Sequence, residues 1–129
     1  MKVVFDTNVL VSALALPGGR ADEATRRIVE GEDSLALSKP GLDEFLSVLA
    51  RKLDHDREAL AHVAVFLFEM AEFVEPTESL TVLADEPDNR ILECALAAGA
   101  QLVVTGDRAM LAQGDCRGVR IVSLSTYLA

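Results

Sequence analysis

Lys2-Val3-Val4-Phe5-Asp6, followed by Thr7-Asn8-Val9-Leu10, is the stretch on which the fold turns. A run this short and this apolar reads as a strand covered on both faces. It ends at an acid. Asn8 to Leu16 is then apolar enough for a helix, which Pro17-Gly18-Gly19 stops. The same order recurs near the other end of the chain. Leu102 to Thr105 reads as a buried strand, and Gly106-Asp107 turns into a short helix through Leu111.

Between these two units the pattern continues. Arg20 to Glu30 is amphipathic and closes at Gly31, and Ser34 to Leu37 is a second strand. Ser38 suits the cap of a helix with Pro40 in its first turn. Leu42, Phe45, Leu46, Leu49 and Leu53 follow at helical spacing. Asp56 to Met70 forms a further long helix. Phe73 to Glu75 and Leu80 to Leu83 read as extended or irregular around Pro76 and Pro87. Asp88 to Ala98 is helical with Gly99 as its stop. Arg120 to Ser123 is the last strand, with a closing turn over Ser125 to Leu128. Strands alternating with helices imply a three-layer α/β/α domain with a short, mostly parallel sheet of about five strands.

The chain has 129 residues, which suits one domain spanning 1–129. No apolar run reaches the roughly 18 to 20 residues of a membrane span. An acid at position 6 interrupts any signal-peptide core, so a cytoplasmic protein is expected. Cys94 and Cys116 are unclustered and read as reduced thiols. The formal charge of −9 argues against a broad nucleic-acid-binding surface, because neutralising phosphate takes Lys and Arg. Bound cations would reverse the local sign wherever carboxylates gather. Basic clusters remain at Arg20, Arg26 and Arg27, and at Arg51, Lys52 and Arg57.

Carboxylates are expected to gather at one place. Ligands of such sheets bind beyond the carboxyl ends of the strands. Asp6 follows the first strand at once, and Asp107 follows the Val103-Val104-Thr105 strand by two residues. Asp88 opens the helix leading into that strand, and Glu44 lies about one turn into the helix after Ser34 to Leu37. All four therefore belong at one rim. Each Asp alone also fits a helix cap. Crowded like charges cost stability unless a cation neutralises them, and a set of acids without His or Cys points to Mg²⁺ or Mn²⁺ rather than Zn²⁺.

These elements carry a resemblance. Val4-Phe5-Asp6-Thr7-Asn8-Val9-Leu10, Ser38 with Leu42 and Glu44, Asp85-Glu86-Pro87-Asp88-Asn89-Arg90-Ile91-Leu92 with Ala95, and Leu102-Val103-Val104-Thr105-Gly106-Asp107 with Leu111 stand in order along nearly the whole chain. Together they resemble the PIN-domain family, and within it the VapC-like toxin ribonucleases of toxin–antitoxin pairs. The resemblance implies a PIN-like fold and metal-dependent hydrolysis of RNA phosphodiesters. Asp6, Glu44, Asp88 and Asp107 then match the acidic metal-binding positions, and Asn8 and Thr105 match polar positions beside them. Asp85 is read as a turn residue or a group behind the metal ligands. Arg90 and Arg108 are candidates for contact with the RNA backbone, with a solvated helix-end arginine the preferred reading of both.

The resemblance also implies an antitoxin partner and a homodimer. Val65, Phe66, Leu67 and Phe68 spread over more than one side of the Asp56 to Met70 helix, at about 100° per residue. One side therefore needs cover from outside. Three other readings compete. A PIN housekeeping nuclease would share the acids. A module that binds metal or RNA without turnover would share them too. A signalling receiver domain would need a Lys after a late strand, and Lys2, Lys39 and Lys52 all fall elsewhere.

Overall fold

The computed structural model describes residues 1–53 and 57–129. The start of the expected Asp56 to Met70 helix, at Asp56, lies outside the described residues. The order is β1 (Lys2–Phe5), α1 (Thr7–Ala15), α2 (Arg20–Val29), β2 (Ser34–Leu37), α3 (Lys39–Leu53), α4 (Arg57–Met70) and β3 (Ala71–Phe73). Then come α5 (Glu86–Ala98), β4 (Leu102–Val104), α6 (Arg108–Gln113), β5 (Asp115–Cys116), β6 (Val119–Val122) and α7 (Leu124–Leu128). The strands form one sheet in the order β3-β2-β1-β4-β6-β5. Every pairing is parallel except β5 with β6.

Side-chain alternation along the strands builds two cores. Val3 and Phe5 of β1, Leu35 and Leu37 of β2, and Val104 of β4 face one side. There they meet Val9 and Leu10 of α1, Ala24 and Ile28 of α2, Phe45 and Leu49 of α3, and Leu67 of α4. Val4, Ala36, Val103 and Ile121 face the other side, against Ile91, Leu92 and Ala95 of α5 and Met110 of α6. This is the three-layer arrangement expected, and Cys94 sits inside the second core. Among the described residues no helix is long and apolar enough to cross a membrane.

The sheet has six strands rather than about five. The extra one, β5, makes a tight hairpin with β6 through Arg117 and Gly118, both at positive φ (52° and 93°). Two such residues in succession match the twist that joins adjacent antiparallel strands. The third strand also falls earlier than the sequence implies. Ala71 follows Met70 directly, and β3 pairs with β2 in the register Leu35↔Ala71. Its Phe73 ring stacks on Phe68 at 4.4 Å between centroids.

From residue 74 to residue 85 the chain has no helix or strand, yet it is firmly held. Asn89, wholly buried on α5, accepts from the Leu83 N–H and donates to the Leu83 carbonyl, each at 2.9 Å. Glu93 accepts from the Leu80 N–H at 2.7 Å and from Arg90 at 2.6 Å. Arg90 also donates to the Leu80 carbonyl and pairs with Glu86. Arg90 is thus a structural clamp, not the solvated arginine expected. Asn89→Ala would leave both backbone groups of Leu83 without these partners. A loss of ~2–3 kcal/mol is expected in urea unfolding, with faster hydrogen exchange at the Leu83 amide. Unchanged exchange there would show that the segment is held by other means.

Candidate metal centre

The sheet's strand order reverses between β1 and β4, so the carboxyl ends of these two strands border a natural crevice. Phe5 and Val104 are in register, and the Asp6 N–H donates to the Val104 carbonyl at 3.0 Å. Asp6 and the segment Thr105-Gly106-Asp107 are therefore side by side. The Thr105 hydroxyl links them. It donates to Asp6 Oδ2 at 2.6 Å and accepts from the Asp107 N–H at 3.0 Å. Thr105 itself is wholly buried.

Asp6, Glu44, Asp85, Asp88 and Asp107 line one hollow of about 120 Å³, together with Thr7, Asn8, Val48, Pro87 and Ile91. The four acids expected at one rim do share it. Glu44 arrives from α3 and Asp88 from the first turn of α5. Asp85 occupies the N-cap position of α5. Asn8 is exposed at the hollow's edge. The residues the sequence did not single out are Thr7, Val48, Pro87 and Ile91, whose apolar or local character gave no chemical signal.

Capping accounts for only one of these acids. Asp6 stands at the N-cap of α1 and Asp85 at that of α5, but neither side chain makes a cap hydrogen bond. Asp107 does cap α6, accepting from the Met110 N–H at 2.9 Å. One oxygen of a carboxylate suffices for that bond.

The electrostatics are those of crowded acids. Burial pushes the Asp6 carboxyl above its ordinary value of 3.8, opposed by the Thr105 hydroxyl and the Asn8 backbone, with repulsion from Asp107 adding to the rise. Asp88 is raised to about 7, first by burial and then by repulsion from Asp85, Asp107, Asp6 and Glu44. Among the described residues no three His, Cys, Asp or Glu side chains stand close enough to hold a metal ion as placed. The carboxylates ring the hollow without meeting at a point. The lining offers carboxylate oxygens and neither His nor Cys, a donor set that fits a hard divalent cation.

Comparison with known proteins agrees with this fold. A PIN domain family model matches residues 2–109. The chain therefore belongs to the PIN domain family, a family of nucleases. An uncharacterized protein of Methanocaldococcus jannaschii is 28% identical over 119 residues, covering 89% of this chain and 76% of that protein. Two solved structures share the fold. VapBC2 from Rickettsia felis, bound to a DNA fragment from its promoter, superposes with a TM-score of 0.68 at 15% identity, over 95% of this chain and 98% of that one. VapBC-1 from nontypeable Haemophilus influenzae gives 0.68 at 14% identity, over 97% and 99%.

The raised Asp88 has a consequence for stability. Its proton is held in the folded state up to about pH 7 and released by the unfolded chain near 3.8. The stabilisation is full below about pH 3.8 and is lost as pH rises through 7. Metal-free protein should lose stability between pH 5 and pH 8 for this reason. Asp88→Asn should flatten that loss and gain ~1–2 kcal/mol at pH 8, the rise to about 7 being discounted for solvent screening. Thermal unfolding at the two pH values in EDTA checks this. A variant less stable than wild type at pH 8 would overturn it.

Proposed function

We propose that this protein is a divalent-metal-dependent endoribonuclease that hydrolyses RNA phosphodiesters, and that it is the toxin component of a toxin–antitoxin pair. The observation that carries the reading is the single hollow at the β1–β4 switch point, ringed by Asp6, Glu44, Asp88 and Asp107. Membership of a nuclease family supports hydrolysis in general. The VapBC names of the two solved structures support the toxin assignment.

The four carboxylates are the proposed ligands of Mg²⁺ or Mn²⁺. Bound there, such an ion would lower the pKa of a water and offset charge on the phosphate. The protein's own contribution is placement. Thr105 fixes one oxygen of Asp6 with its hydroxyl, and the same oxygen of Thr105 anchors the Asp107 backbone. Glu44, on a longer and partly exposed side chain, has the torsional freedom to move toward a cation. Asp85, exposed at the mouth, suits a supporting role, as does Asn8.

Partners follow from the surface. Val65, Phe66 and Phe68 of α4 are 46% to 60% exposed, while Leu67 between them is buried. Phe66 also borders an apolar groove with Leu10, Ala13 and Leu14 of α1 and Met70 of α4. Exposed large apolar side chains beside such a groove support an interface. We assign α4 to a homodimer seam and infer an antitoxin partner and a cytoplasmic setting from the VapBC likeness.

Purified protein should cleave defined RNAs with Mg²⁺ or Mn²⁺ and not in EDTA. Asp6→Asn and Asp107→Asn should each lower the rate at least 100-fold while keeping the circular dichroism of the wild type, given how much a lost charge-stabilising group costs. Cleavage unchanged in both variants would remove these residues from the reaction. Light scattering at tens of micromolar should give a dimer, and Phe66→Asp with Phe68→Asp should give a monomer. A wild-type monomer would end the dimer assignment.

A further inference from the structure

The protein is acidic overall, so the cations it leaves unpaired are informative. Lys2, Arg26, Lys39, Arg90 and Arg117 are each bound to a carboxylate. Arg20 bonds to the Ser125 hydroxyl. Arg27 bonds to the Tyr127 and Leu128 carbonyls and lies over the Tyr127 ring. The basic cluster expected at Arg20, Arg26 and Arg27 is therefore spent on holding α2 and α7. Arg51, Lys52, Arg57, Arg108 and Arg120 have no carboxylate partner among the described residues.

Three of these five, Arg51, Lys52 and Arg108, are placed beside the acidic hollow. Glu44 lines it, and so does Val48, one turn further along α3. The helix therefore runs along the rim. Arg51 is seven residues beyond Glu44, within about 20° of it around the helix and about 10 Å along the axis. Arg51 is exposed, and its Nε–H reaches back only to the Ser47 carbonyl, at 3.4 Å. Lys52, also exposed, adds a second charge beside it. Arg108 is the first residue of α6, next to Asp107, and is exposed without a partner of either kind among the described residues. Arg120 is at the amino end of β6, paired in register with Leu102, and so belongs to the opposite edge of the sheet.

We propose that Arg51 with Lys52, and Arg108, bind the phosphates flanking the scissile bond and set the line along which a single RNA strand crosses the acidic hollow. The inference rests on the ribonuclease reading above and adds the path of the substrate to it. An overall negative protein repels RNA, so its grip must come from cations that no carboxylate already neutralises. These cations touch neighbouring phosphates and not the reacting one. Their loss should therefore weaken binding uniformly and leave the chemical step alone.

The test compares Arg51→Gln/Lys52→Gln, Arg108→Gln and Arg120→Gln in the full chain. Cleavage of a fluorescein-labelled single-stranded RNA is followed in Mn²⁺ at several salt concentrations. The first two variants should raise KM several-fold with kcat within about twofold of wild type. The salt dependence of log(1/KM) should become shallower by ~0.7 for each phosphate contact removed. Arg120→Gln, which removes one charge at an exposed site as Arg108→Gln does, should match wild type. Effects that simply follow the number of charges removed, Arg120→Gln included, would reduce the result to net charge and overturn the proposal. So would an unchanged KM in the first two, with the ribonuclease reading left standing. A wild type that neither cleaves nor is inhibited by RNA in metal would sink the ribonuclease reading itself, and this path with it.

Discussion

The parallel pairing of β1 with β4 is the constraint on which the rest depends. It sets Phe5 opposite Val104 and so brings Asp6 level with Thr105. The two strands lie at the point where the strand order reverses. A one-residue slip in this register would move Asp6 away from the Thr105 hydroxyl. It would also send Val3 and Phe5 to the opposite core, because strand side chains alternate faces. The hydrophobic pattern thus fixes the position of a polar site it never touches.

Around that site the protein accepts a local electrostatic cost. Buried carboxylates at Asp6 and Asp88 are pushed toward their neutral forms by lost hydration and by neighbouring carboxylates, Asp107 in both cases. The surrounding structure holds them regardless, through the two cores on either side of the sheet and the clamp of Asn89, Arg90 and Glu93 on the segment before α5. Conflict between local stability and arrangement is concentrated at one rim. Elsewhere, charges are paired or solvated.

The strands and the acids were legible in the sequence for a common reason. Short apolar runs such as Val3-Val4-Phe5 and Leu102-Val103-Val104 have few alternatives to a covered strand, and the acids follow them by fixed small offsets. The chain between α4 and α5 was less legible. Ala71 to Phe73 continues a helix without punctuation, so its switch to a strand is decided by pairing with β2. The β5–β6 hairpin did have a signal, Gly118 in the middle of a tight turn, but Asp115-Cys116 is too short to show alternation. Arg90 was misread although Glu86 and Glu93 stand at helical spacing from it on α5, because its third partner, the Leu80 carbonyl, arrives only when the preceding segment folds back over the helix. The capping that each Asp alone also fitted does occur at Asp107. For Asp6 the capping alternative fails, since its carboxylate is turned to Thr105 instead.

The segment from residue 74 to residue 85 has a further consequence, for how such a protein diversifies. Its anchors are at Leu80 and Leu83, held through backbone groups and by side chains packed against the second core. Thr77, Glu78 and Ser79 just before them are exposed. Residues added or exchanged there leave the anchors and the acidic ring in place, yet the same segment delivers Asp85 to the mouth of the hollow. Descendants of this fold have a region that is free to vary in length and chemistry beside a centre that is not.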